Sequence, residues 1–269
     1  MTDLHDPRFA TTLARGLSVL RAFRVTDDGL SNGEIAQRTG LPKSTVSRLT
    51  FTLGQLGYLV QSPRDDRFRP GPTLVAVGHV AAASLSFLVP AHELMRRLAE
   101  ETGTLVVLAV RDGDKLVLIR TWRPTRVASI WLEVGQRVPL QPFSSWRAFI
   151  AAATLPEIEH IAAEHPAARP ALEALLAERA ATRAALAQRG FVSTPTGTGA
   201  PAAYNAVSVP FRSSNLAEPV VFTCGALPAE ASAGRMDSEV GPRLAAAVRT
   251  LERMTGQSPG LIHTEAEHG

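Results

Sequence analysis

Residues 30–59 read LSNGEIAQRTGLPKSTVSRLTFTLGQLGYL, and this stretch decides the fold. Ser31 is a helix N-cap, and Glu34 three residues later completes a capping box that pairs two otherwise orphaned N–H groups. The helix runs through Ile35 and Ala36 to Thr39, where Gly40 supplies the left-handed residue that stops it. Pro42 suits the first turn of a second helix, because its missing N–H is not needed there. Val46, Leu49, Leu53 and Leu56 line one face of that helix, and Gly57 ends it. Lys43, Ser44, Thr45, Ser47 and Arg48 fall on its open side.

The flanks extend the pattern. Residues 8–24 place Leu13, Leu17, Leu20 and Phe23 close to helical spacing, and Asp27-Asp28-Gly29 ends that helix. Downstream, Tyr58-Leu59-Val60 reads as a strand, 63–66 as a turn, and Arg67-Phe68-Arg69 as the returning strand. The whole is a winged helix-turn-helix. In such a unit the second helix enters the major groove with its N-terminal residues at the base edges. Arg48 suits a bidentate contact to guanine, and the hydroxyls of Ser44, Thr45 and Ser47 suit bases or phosphates. The helix start at Ser31 offers a phosphate site. Arg64, Arg67 and Arg69 in the wing offer backbone or minor-groove contacts. The expected partner is double-stranded DNA.

Charge supports this. Of 28 Lys/Arg and 25 Asp/Glu, ten and seven lie in residues 1–72, leaving 18 of each for the rest. The formal excess of +3 therefore sits in the first quarter, as expected for a basic module on a neutral body. A length of 269 residues predicts two domains at roughly 150 residues each. With 45% hydrophobic and 20% charged residues, disorder over most of the chain is excluded. The single cysteine, Cys224, excludes an internal disulfide framework and a Cys-only zinc site, and fits a reducing cytoplasm. The opening MTDLHDPRF carries acids and no apolar run, so no signal peptide is expected.

Residues 70–92 contain no Asp, Glu, Lys or Arg and are long enough to span a bilayer. Gly71, Pro72, Gly78, His79 and Pro90, with much alanine between, instead predict a small-residue helix packed on protein, and no membrane. The expected boundaries are a winged helix-turn-helix over 8–71, a linker helix over 72–88, a second domain over 89–256 and a disordered tail over 257–269. In the second domain, 91–103 is an amphipathic helix closed by Gly103. Two apolar runs, 104–111 and 115–122, form a hairpin across Asp112-Gly113-Asp114. Ala128, Ile130, Leu132 and Val134 alternate as a half-buried strand does. A Gly/Pro loop over 135–142 precedes a helix over 144–153. Helices follow at about 156–165 and 170–189, strands at 204–211 and 219–226, and a last helix at 237–255. Helices around a mainly antiparallel sheet make the fold class α+β.

Several motifs have a chemical reading and a plainer one. His160 and His165 are five apart, about 140° round a helix, so with Glu164 they form a solvated face and no metal site. Residues 197–202 match G-x-G-x-x-A, but Pro201 and the β-rich run after it read as a loop. Cys224 lies in a buried strand, where a thiol is inert. Ser144 and Ser145 lack the Gly-x-Ser-x-Gly context of a hydrolase. No pair of titratable groups forms a nucleophile and base, so no catalytic residues are assigned. Trp122, Trp131, Phe143 and Trp146 cluster around the sheet and the loop after it. They read either as core or as an apolar ligand pocket. The pocket's polar anchor would be the helix start at 143–147, whose N–H groups and dipole favour a carboxylate. Two rivals to a DNA-binding regulator are an enzyme with a regulatory N-terminal module and a protein-interaction adaptor.

The chain also resembles the IclR family of bacterial transcription regulators over about residues 8–256. ARGLSVLRAF, LPKSTVSRL and FRPGPTL carry the resemblance in the first third; VGQRVPL, SSWRAFIAA, NAVSVPF and VVFTCGAL carry it beyond. The resemblance implies a winged helix-turn-helix, a linker helix and a GAF-like effector domain. It implies homodimers or homotetramers on palindromic operators, no cofactor, and a small, often acidic or aromatic, effector. The family's pocket maps onto Phe143, Ser144, Ser145 and Trp146, onto Ala206 and Ser208, and onto Thr223 and Cys224; Trp131 joins it from the aromatic cluster. Departures are present. The family usually has threonine where Phe143 stands and glycine where Trp146 stands. Ser193, Thr194, Pro195 and Thr196 replace common acids, and Ala206 replaces cysteine or serine. Either the pocket is reshaped for a flatter, more apolar ligand that stacks on Trp146, or the rings fill it.

Overall fold

The computed structural model describes residues 8–125, 130–194 and 204–257. The chain divides between Leu85 and Ser86 into two compact units.

The first unit comprises α1 (Thr11–Arg21), α2 (Asn32–Thr39), α3 (Lys43–Gln55), β1 (Leu59–Gln61), β2 (Phe68–Pro70) and α4 (Pro72–Ser84). At the start of α2 the Glu34 N–H donates to Ser31 Oγ, and the Ser31 N–H donates to the Glu34 carboxylate at 2.8 Å. Gly40 closes α2 at φ 70°. Strands β1 and β2 pair antiparallel, and Leu30 bridges to Phe68 as a third short edge. Val19, Leu30, Ile35, Val46, Leu59 and Phe68 form the core, with Leu20, Phe23, Leu49 and Leu53 packed against it.

Three residues expected in that core are outside it. Leu13, Leu17 and Leu56 are 63%, 50% and 61% exposed. Helix α1 instead buries Gly16 and Val19, with Gly16 facing Leu49, so its inward stripe is rotated from the leucine stripe. Leu56 follows the last residue of α3 and has left the helical conformation. Gly71 is dictated by space: a Cβ there would lie 2.3 Å from the Gly57 carbonyl oxygen.

The second unit opens with α5 (Leu88–Thr102), stopped by Gly103 at φ 64°. Then follow β3 (Leu105–Asp112), β4 (Lys115–Trp122), β5 (Arg137–Pro139), α6 (Ser144–Ala152), α7 (Leu155–Glu164), α8 (Arg169–Ala177) and α9 (Arg179–Arg189). Strands β6 (Val192–Ser193), β7 (Asn205–Phe211) and β8 (Val220–Ala226) complete a sheet of order β5-β4-β3-β8-β7-β6, antiparallel throughout. Helix α10 (Ala233–Arg235) passes through a π turn (Met236–Val240) into α11 (Gly241–Met254). Alternation in the strands sends Val107, Ala109, Leu118 and Val221 into a core shared with Trp146 and Phe149 of α6. Phe211, Phe222 and Trp122 stack in a chain with Phe87, beside α5. The sheet is thus covered on both faces, by α6 and by α5 with α11.

The outline of this unit differs from the sequence reading at four places. Ile130–Val134 is not a strand: Ile130 is buried and Leu132 packs against the core, but no ladder partner is present among the described residues. The stretch read as a Gly/Pro loop contains β5, paired with β4. The helix expected over 170–189 is two, broken at Glu178, because Arg179 turns back to donate to the carbonyls of Ile150 and Ala153 at the end of α6. The final regular helix starts at Gly241, after the π turn. Ala128, the 197–202 motif and the tail from 258 lie outside the described residues. Among the described residues no single helix is long and apolar enough to cross a membrane.

Candidate functional site

The first unit presents α3 to solvent along the face expected. Lys43, Ser44, Ser47 and Arg48 are exposed and Thr45 is half-buried, while Val46 and Thr50 point inward. Thr50 Oγ1 donates to Asn32 Oδ1 at 2.9 Å, which ties α3 to the start of α2. Arg38 donates to Asp27 at 2.6 Å and to the Ala22 carbonyl at 2.9 Å, which ties α2 to the end of α1. That guanidinium also holds the Asp27 carboxyl below the usual carboxylate range. The outward face of α3 therefore stands on a braced frame.

The three wing arginines separate. Arg67 donates to Glu34 at 2.7 Å and to the Gly29 carbonyl at 3.2 Å. Arg69 pairs with Asp28 and Asp65, both at 2.9 Å, and holds the Asp65 carboxyl far below its ordinary range. Arg64 is exposed, and its side chain has no partner among the described residues. Lys43 and Arg48 are likewise without an ion pair among the described residues. At the α2 start the Ser31 N–H, its hydroxyl and the Glu34 N–H are taken up by the capping box, which does not use the Asn32 and Gly33 N–H groups. Glu34 also places a carboxylate at that helix start. The Ser31 N–H and hydroxyl, with Arg67, hold its pKa down at about 2, so it stays charged.

The second unit contains a cavity of about 260 Å³ between the β3–β4 hairpin, β8 and α6. Leu105, Val107 and Ala109 of β3, Leu116 and Leu118 of β4, and Ile130 and Leu132 make its walls apolar. One end is polar, formed by Ser144 and Ser145 at the start of α6 with Thr194 and Thr223. The Ser144 N–H donates to Thr194 Oγ1 at 3.3 Å. Ser208 Oγ donates to Ser144 Oγ at 2.9 Å and lies 2.8 Å from Thr223 Oγ1. With the Ser208 proton so committed, Thr223 is the donor of that second pair. The Ser144 hydroxyl then ends the chain with its own proton uncommitted among the described residues. The N-cap Phe143 offers no capping oxygen and the first turn of α6 holds no acid, so beyond the Thr194 bond no carboxylate of that turn offsets the helix dipole.

The nine effector residues named from the sequence divide accordingly. Phe143, Ser144, Ser145, Ala206 and Thr223 line the cavity. Ser208 stands behind it, reaching it through Ser144 and Thr223. Trp146 does not line it. That ring is fully buried, edge-on to Phe149 at 5.4 Å, with its N–H toward the Val138 carbonyl at 3.4 Å. No ligand in the cavity could stack on it, and neither ring fills the space. Trp131 is 72% exposed on the outer side, under the Arg123 guanidinium at 4.2 Å. Cys224 points to the opposite face of β8, and burial pushes its thiol up to about 12. The cavity also uses residues the sequence reading left unassigned: Thr194, Tyr204, Gln136, Arg137 and the alternating faces of β3 and β4. That alternation was the available signal. His160 pairs with Glu164 at 3.3 Å, and no metal-binding group of His, Cys, Asp and Glu occurs among the described residues.

Comparison with known proteins places this geometry. The family model described as the IclR helix-turn-helix domain matches residues 12–63, and that described as the bacterial transcriptional regulator IclR C-terminal matches 79–188. The Pca regulon regulatory protein of Pseudomonas putida is 32% identical over 148 residues, 55% of this chain and 50% of that protein. The transcriptional repressor IclR of Escherichia coli is 29% identical over 142 residues, 52% of each. The matched part is thus about half the length of these relatives. The crystal structure of an IclR family transcriptional regulator from Brucella abortus superposes with a TM-score of 0.75 at 29% identity, over 94% of this chain and 96% of that one. An IclR homologue from Microbacterium hydrocarbonoxydans, complexed with 4-hydroxybenzoate, shares the fold at 22% identity and a TM-score of 0.67, covering 90% and 99%. With a matching model for its helix-turn-helix and another for its second unit, this chain belongs to the IclR family.

Proposed function

We propose that the chain is a transcription regulator that binds double-stranded DNA through α3 and the wing and responds to a small aromatic carboxylic acid. Lys43, Ser44, Thr45, Ser47 and Arg48 make the major-groove face, and Arg64 is the wing cation left free to meet a phosphate. The regulator names carried by its relatives support this reading over an enzyme. The exposed side chains of Leu13, Leu17 and Phe51, with Val75, Val77 and Val80 on the uncharged α4, support a homodimer or homotetramer on a palindromic operator. A DNA partner and a single buried thiol fit the bacterial cytoplasm.

The cavity carries the effector reading. A space of 150 Å³ accommodates benzene, so about 260 Å³ accommodates one ring with a substituent. Its walls are aliphatic, and its polar end offers a hydroxyl proton and a helix start with no acid in its first turn, which match a carboxylate. Binding would shift an equilibrium between conformations of different DNA affinity, so operator DNA must change effector affinity by the same factor. The test is fluorescence anisotropy with DNA from the regulator's own upstream region, across a salt series, with scrambled DNA as control and benzoate or 4-hydroxybenzoate added. Selective binding that weakens steeply with salt and shifts with the acid is the expected result. Equal effector affinity with and without operator would remove the coupling.

A further inference from the structure

We infer that Arg123 is a positioning residue that holds one wall of the cavity and thereby sets how fast a ligand enters and leaves. The inference rests on the cavity being the effector site. Residues 130–136 supply Ile130, Leu132 and Gln136 to that wall, yet Ile130–Val134 has no strand ladder among the described residues. The far end of the segment is pinned by backbone: Gly135 N–H donates to the Leu118 carbonyl at 2.7 Å, and Leu118 N–H to the Gln136 carbonyl at 3.0 Å. The near end is held by Arg123. Its Nη2 donates to the Leu132 carbonyl, and its guanidinium lies over the Trp131 ring at 4.2 Å. Trp131 in turn donates from Nε1 to Glu133 at 3.0 Å.

One guanidinium therefore grips the segment twice, on its backbone and on the residue between the two wall side chains. The grip joins one N–H donor to a planar face that stacks on an indole, a combination a lysine ammonium does not reproduce. The Arg123 Nε is buried and has no partner among the described residues. Among the described residues Glu133 is reached through Trp131, and the Glu100 carboxylate accepts the Thr125 N–H, two residues along, at 3.1 Å.

The test uses the full chain with Arg123→Gln and Arg123→Lys. Hydrogen exchange of the ligand-free protein is measured first. Peptides covering 130–136 are expected to exchange roughly tenfold faster in Arg123→Gln, with an intermediate value in Arg123→Lys and no change in β3 or β8. Acceleration spread over the whole unit would mean a merely structural residue and overturn the proposal, as would no change. Stopped-flow mixing with benzoate then reads exchange. Faster association and dissociation together, with DNA affinity unchanged, are expected. Unchanged rates with a loosened segment would overturn the link to ligand traffic. If benzoate and 4-hydroxybenzoate fail to bind even the wild type, the effector reading fails, and hydrogen exchange still decides whether Arg123 holds the wall.

Discussion

Helices α2 and α6 both begin at serines, and their first turns are used in opposite ways. At α2, Ser31 and Glu34 close on each other, and the carboxylate is shared with Arg67 of the wing. That helix start is spent on structure. At α6, Phe143 is the N-cap and cannot cap the turn, the only side chain on its N–H groups among the described residues is the distant Thr194, and no acid follows; the hydroxyls of Ser144 and Ser145 border a cavity instead. The difference lies at two positions, the N-cap and the residue three on: Ser31 and Glu34 in the first case, Phe143 and Trp146 in the second. A short acid satisfies a helix start from within, whereas a large apolar ring anchors the helix in the core and leaves the start for something else.

The largest expected effect tests that anchoring. Trp146→Ala should lower unfolding stability by about 3–5 kcal/mol in denaturant titration, as for other fully buried aromatic rings. Trp131→Ala, at an exposed ring, should stay within about 0.5 kcal/mol. Equal losses would erase the distinction between a core tryptophan and a surface one. Next comes the DNA face. Arg48→Ala should cost ~1–3 kcal/mol of operator affinity and relax one base preference; Arg64→Ala should weaken all sequences alike and reduce the salt slope by about 1. Arg67→Ala should leave that slope nearly intact, because Arg67 is already held by Glu34.

The two serines sharpen the comparison directly. Ser31→Ala should cost about 1 kcal/mol of stability in thermal or denaturant melts and leave benzoate affinity alone. Ser144→Ala should do the reverse, weakening benzoate binding roughly tenfold by calorimetry. The smallest effect is in pH. Glu34 titrates in the folded protein at about 2, below its ordinary 4.5, so its contribution is complete above 4.5 and is lost as pH falls from there toward 2. Melts between pH 5 and 8 should therefore show no dependence from this group. Glu34→Gln should flatten the acid limb; an acid limb unchanged by that substitution would show that the capping carboxylate carries none of it.

The helix boundaries of the first unit were readable because caps and stops are local chemistry: Ser31 with Glu34, Gly40 and Gly57 act within a turn of where they stand. What failed there was side-chain direction. Leu13 and Leu17 have the spacing of a core stripe, but the close approach of α1 at Gly16 turns that stripe outward. In the second unit, β5 escaped notice because three residues ending in proline carry little β signal. Ile130 and Leu132 alternate as a strand does, yet they alternate because one side of the segment faces a cavity. The aromatic cluster was visible, but nothing local in the sequence says that Trp146 faces the core and Trp131 the solvent. Thr194 stood out only as a replacement for a common acid, and its role was not legible because its partner, the Ser144 N–H, lies 50 positions away.

The alternation of β8 has a practical consequence. Thr223 and Gly225 border the cavity, so Cys224 between them is turned away, fully buried and protonated at any ordinary pH. The chain's only thiol is therefore chemically silent while the protein is folded. A cysteine introduced at an exposed position, such as Ser44 on α3 or Val134 beside the cavity wall, would be the sole group to take a maleimide dye or spin label. Each unit can then be followed by its own spectroscopic reporter without first stripping out a native residue.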